Sequence, residues 1–134
     1  MDMHPYLTFN GQCEEAFRFY EKSLNGRVGE LFRYGGSPMA GDVPDDWSDK
    51  VMHGSVSIGN QLLMGADVAR YEEARGFTLS LQMTSATDAE RIFGDLATGG
   101  TIVMALEKTF WAERFGMVID RFGVPWTINC ESPR

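Results

Sequence analysis

Ala16-Phe17-Arg18-Phe19-Tyr20 returns in the second half of this 134-residue chain as Ala89-Glu90-Arg91-Ile92-Phe93. Each copy sits in a stretch with apolar residues at helical spacing. In the first, Cys13, Ala16, Phe17, Tyr20 and Leu24 make one face, with Glu14, Glu15, Arg18 and Lys22 opposite. In the second, Ala89, Ile92, Phe93 and Leu96 make the stripe, and Ser85 to Thr87 offers an N-cap. Gly26 ends the first helix and Gly99 the second. Working outward, Tyr6 to Phe9 alternates as a strand before the first helix, and Phe77 to Met83 does so before the second. Val28 to Tyr34, Val51 to Ile58 and Gln61 to Met64 follow the first helix as strands, with Gly59-Asn60 as a hairpin turn. Ile102 to Leu106, Phe115 to Ile119 and Val124 to Cys130 follow the second. The repeated order is strand, helix, strand, strand, strand. It predicts an α+β protein of one domain spanning residues 1–134. Two βαβββ modules, residues 1–67 and 77–134, are joined by a polar connection over 68–76. Side by side they form a curved, mostly antiparallel eight-stranded sheet with a concave pocket. Residues 35–50, rich in glycine, proline and aspartate, read as a long mobile loop at one pocket mouth.

Composition bounds the function class. With 43% hydrophobic and 23% charged residues the chain is of globular type. Twelve basic against 19 acidic residues give a net charge of −7. That balance argues against a nucleic-acid partner, which requires a basic face, and against docking on anionic membranes. No apolar run approaches the roughly 18–20 residues of a membrane span, and the first residues lack the pattern of a signal peptide. Cys13 and Cys130 fit no CxxC spacing and read as two reduced, buried thiols of a cytoplasmic protein.

Several stretches carry a resemblance. They are His4-Pro5-Tyr6-Leu7-Thr8-Phe9-Asn10-Gly11, Glu15-Ala16-Phe17-Arg18-Phe19-Tyr20, Val51-Met52-His53-Gly54 and Leu63-Met64-Gly65-Ala66-Asp67. The most specific runs from Thr109-Phe110-Trp111-Ala112-Glu113-Arg114 through Phe115-Gly116-Met117-Val118-Ile119-Asp120 to Arg121-Phe122-Gly123-Val124-Pro125-Trp126. Together they resemble the PhnB-like proteins, also labelled 3-demethylubiquinone-9 3-methyltransferase-like. These belong to the glyoxalase/bleomycin-resistance/dioxygenase, or vicinal oxygen chelate, superfamily. The resemblance implies the glyoxalase/bleomycin-resistance fold and frequent pairing of two chains. It implies little about methyl transfer, because no glycine-rich nucleotide loop follows the first strand.

Metal-dependent members hold a divalent ion with four side chains, from the first and last strand of each module. By strand alternation those positions fall at His4, at Met64 or Gly65, at Thr78 and near Thr127. One imidazole among a thioether or glycine and two hydroxyls does not make a divalent site, so no bound metal and no cofactor is expected. A nonstandard site from His4, His53 and a carboxylate such as Asp120 is the alternative. The same alternation gathers candidate pocket residues: His4, Tyr6, Thr8, His53, Ser55, Ser80, Gln82 and Thr127. Ser57 and Asn129 share that polar face. Trp111, Arg114 and Asp120 join the set from before and within the seventh strand, where an aromatic and a guanidinium can clamp a planar or anionic ligand. A merely solvated face, half of a dimer interface, or an Arg114 paired to an acidic neighbour are the plain alternatives. His53 is the candidate catalytic residue, as base or donor, and is otherwise a structural imidazole. The leading expectation is a small-molecule binder without a tightly bound metal, forming a homodimer. The alternative is a metal-dependent or His-based lyase, isomerase or dioxygenase of the same superfamily.

Overall fold

Leu7 and Phe9 are buried while Tyr6 and Thr8 are exposed, so β1 (Tyr6–Phe9) turns one edge of its alternation toward a core. The core is completed by α1 (Cys13–Ser23), which buries Cys13, Ala16, Phe17 and Tyr20 at spacings of three and four. Asn25 closes the helix in the left-handed region, φ 56°. Two short strands follow, β2 (Arg27–Val28) and β3 (Phe32–Arg33), then β4 (Val51–Ile58) and β5 (Gln61–Asp67). The sequence reads Val28 to Tyr34 as one strand. The structure breaks it at Gly29, where a Cβ would stand 2.7 Å from Ser55 Oγ. The sheet runs β1-β5-β4-β2, with β3 also on β4. β1 and β5 are parallel, Tyr6 opposite Met64, and β4 and β5 form the hairpin through Gly59, φ 58°.

The second unit repeats the plan. It has β6 (Leu79–Met83), α2 (Ala86–Ala97), β7 (Thr101–Glu107), β8 (Arg114–Ile119) and β9 (Pro125–Cys130). Its sheet runs β6-β9-β8-β7, with β6 and β9 parallel and the other pairs antiparallel. The helix ring Phe93 lies against Gly116, whose added Cβ would come 2.9 Å from Phe93 Cε2. Trp126 and Ile128 fill this core at 1% and 0% exposure.

This is a computed structural model and describes residues 1–132. The chain divides into two compact units between Glu72 and Glu73, inside the predicted connection. Pro133 and Arg134, assigned by sequence to the end of the second module, lie outside the described residues. The α+β class and the two βαβββ modules are as the sequence predicts. The strand grouping is refined: among the described residues nine strands form a five-stranded and a four-stranded sheet, where the pattern suggested eight in one. The ninth strand comes from the break at Gly29, and the parallel pairing of first and last strand within each module is one that periodicity does not encode.

The loop over 35–50 has local structure of its own. Tyr34 N bonds Lys50 O at 3.1 Å and Gly35 N bonds Ser48 O at 2.8 Å, closing its base. Two 3-10 turns, Ala40–Asp42 and Asp45–Trp47, use its glycines and aspartates, and Trp47 packs against Tyr34. Tyr34 in turn donates its hydroxyl to Asp67 O at 2.6 Å.

Candidate functional site

Each module's sheet has one face covered by its helix, and the sequence-predicted site residues fall mostly on the other. In the first module, Tyr6 on β1 opposes Met64 on β5, Met64 opposes Ser55 on β4, and His53 opposes Phe32 on β3. Three rings result in a row. Tyr6 stacks on His53 at 5.7 Å between centroids and 29° between planes, and Phe32 meets the other side at 6.3 Å and 34°. The Tyr6 hydroxyl and His53 Nδ1 lie 3.1 Å apart. His53 Nε2 has no partner among the described residues. Tyr6 and Phe32, at the ends of the row, are 49% and 45% exposed. Partial burial, with a smaller push from Cys13, raises the Tyr6 hydroxyl above its ordinary pKa, so it stays a phenol at neutral pH.

The corresponding face of the second module is a polar ladder. Thr78 Oγ1 and Thr127 Oγ1 are 2.7 Å apart. Gln82 donates to Ser80 Oγ at 2.6 Å, and Asn129 donates to Gln82 Oε1 at 2.7 Å. Asn129 Oδ1 is buried without a partner, a vacant acceptor on this face. Beside the ladder lies an apolar groove of about 270 Å³, walled by Phe77, Val103, Met117, Ile119 and Trp126.

The remaining candidates have other neighbours. His4 and Thr8 are exposed. Trp111 is half-exposed and meets Phe115 edge-on at 5.3 Å, with the nearly fully exposed Phe110 on its other side. Arg114 is held by Glu90 and Glu113, each at 3.2 Å. Asp120 is 3% exposed and accepts from Phe122 N, Val124 N and Trp126 Nε1, building the β8–β9 turn. Sequence reasoning missed Phe32, because its register against His53 depends on the break at Gly29.

The side chains at the positions that strand alternation assigns to metal donors do not suit a divalent ion. Thr78 and Thr127 satisfy each other's hydroxyls, Met64 offers a thioether, and His4 is a single imidazole. Among the described residues no group of three or more His, Cys, Asp or Glu side chains gathers to hold a metal. No helix among them is long and apolar enough to cross a membrane.

Two βαβββ modules, each with a helix-free sheet face, define a protein of the glyoxalase/bleomycin-resistance fold. The fosfomycin resistance protein FosX from Listeria monocytogenes shares that fold, at 9% identity and TM-score 0.68 over 98% of this chain and 94% of its own. More specifically, residues 1–129 match the 3-demethylubiquinone-9 3-methyltransferase family, and the chain belongs to it. It is similar to protein YjdN of Escherichia coli, 34% identical over 96% of this chain and 95% of that one. It is also similar to protein PA1353 of Pseudomonas aeruginosa, 43% identical, with TM-score 0.88 over 99% of both chains.

Proposed function

We propose that this chain, acting as one functional domain, binds a small molecule and does so without a tightly bound metal at the superfamily's usual position. The observation that carries this reading is the Thr78–Thr127 hydroxyl pair, whose members hold two of the positions that strand alternation assigns to metal donors and bond each other instead. The half-exposed ring row of the first module supplies binding surface in its place. A His-based reaction is the second reading, favoured by the unpartnered Nε2 of His53. Elemental analysis of protein purified without metal-affinity resin is expected to find no stoichiometric Zn, Ni, Mn or Fe. Near one equivalent per chain, lost with function on His4→Ala, overturns the reading. A ligand screen by protein-observed NMR should give saturable binding unaffected by chelator. Turnover abolished by His53→Ala would move the assignment to the second reading.

A homodimer belongs to the same reading. β7 forms the outer edge of the second sheet and bares Ile102, Val103 and Met104 at 54%, 58% and 47% exposure. Such an edge calls for a cover. Light scattering is expected to give twice 15.0 kDa. Residence in the cytoplasm is supported by the two buried, unbridged cysteines.

A further inference from the structure

We propose that the Phe32–His53–Tyr6 row selects a planar ring that carries a hydrogen-bond-accepting oxygen, with Tyr6 positioning His53 to donate from Nε2. This rests on the small-molecule reading and names the ligand class of its first-module face. A neutral imidazole has one donor and one acceptor nitrogen, and the bond made by one fixes the role of the other. The phenol hydroxyl, 3.1 Å from Nδ1, donates to it and leaves the proton on Nε2. Nε2 has no partner among the described residues, so its donor capacity is available to a ligand.

The ring geometry sets the shape. Three rings within 29° and 34° of parallel offer a flat ring a place across the row, against the exposed flank of Tyr6 or Phe32 and with its oxygen toward His53 Nε2 between them. The charge pattern sets the oxygen. Neither Tyr6 nor Phe32 can carry a positive charge. Arg33, next in the chain to Phe32, is drawn to Glu14 at 2.9 Å and to Asp49 O at 2.7 Å. A multiply charged group such as phosphate finds no guanidinium or ammonium here, whereas one carbonyl, carboxylate or phenolate oxygen matches one N–H.

The test uses the full chain, labelled with ¹⁵N at slightly alkaline pH and titrated with benzoate, cyclohexanecarboxylate and inorganic phosphate. Benzoate is expected to shift Tyr6, Phe32 and His53 resonances saturably, and cyclohexanecarboxylate, of equal charge but puckered, to bind at least about tenfold more weakly. Phosphate is expected to leave the row unmoved. Long-range ¹⁵N spectra should show His53 protonated on Nε2. Tyr6→Phe keeps the ring, and should move the His53 side-chain ¹⁵N shifts and weaken benzoate about tenfold, while the Trp126 indole signal stays in place as a check on folding. Phe32→Leu should keep the His53 pattern and lose the preference for the flat ring. Equal binding of the two carboxylates, phosphate binding at the row, no benzoate shift at the row, or a His53 pattern indifferent to Tyr6→Phe overturns the ligand class. Binding of cyclohexanecarboxylate or phosphate there would leave the small-molecule reading standing; its own fate is decided by the ligand screen.

Discussion

The two modules begin their helices with different chemistry. α2 is capped from next door: Ser85 Oγ accepts from Asp88 N at 3.1 Å. α1 follows Gln12, whose side chain makes no cap, and its first N–H is met from across the module by Asp67. One oxygen of that buried carboxylate accepts from Cys13 N at 2.8 Å, the other from Val51 N at 2.9 Å. Asp67 is 1% exposed, and its carbonyl receives Tyr34. Its structural counterpart in the second module, the last residue of β9, is Cys130, which makes no comparable bridge. A local cap orders one turn. The remote cap ties the helix, the start of β4, the end of β5 and the base of the 35–50 loop together, so the first module concentrates its polar risk in one side chain.

The largest test of that contrast is Asp67→Ala. It strands two buried N–H groups, each worth about 1–3 kcal/mol, so a loss of roughly 3 kcal/mol or more is expected in urea unfolding. A loss no larger than that of Ser85→Ala would break the comparison. Ser85→Ala should itself cost about 1 kcal/mol, the usual value of an N-cap, read in the same experiment.

How far these features are legible in the sequence follows from the distance between partners. Ser85 announces its cap three residues ahead of Asp88, and Leu7, Phe9, Ala16 and Tyr20 announce the first core by alternation and helical spacing. The partners of Asp67 are 54 and 16 residues away, and no local pattern joins them. Asp120 shows the opposite case. It reads as a pocket carboxylate by position, yet its partners stand two, four and six residues on. The Asp-x-x-Gly turn ending in Gly123, φ 89°, was the signal available for its structural role. On the helix-free faces, Tyr6, His53, Ser80, Gln82 and Thr127 follow from alternation. The Tyr6–His53 bond and the Phe32 contact do not, since they depend on which strands neighbour each other.

The smallest expected effect sharpens the same contrast at the surface of α1. Arg33 bonds Glu14 at 2.9 Å and holds its carboxyl below the usual range, with side chains 40% exposed on both sides. A depressed folded-state value means stability that is present above the unfolded value of about 4.3 and is lost as pH falls through the folded one. Solvent screening keeps it small, so Arg33→Ala should cost under about 1 kcal/mol at pH 7 and flatten the acid limb of the stability curve below pH 4.5. A change as large as that of Asp67→Ala would place the anchor of α1 at its surface.

The remote cap also sets an order of events at the ribosome. The first N–H of α1 belongs to Cys13, and its acceptor is synthesised only with residue 67. Until β5 has emerged, the amino-terminal helix is a nascent turn without its anchor, and the segment from residue 13 to 67 must stay soluble in that state. The second helix carries its cap at its own start, so its first turn waits for no residue made later.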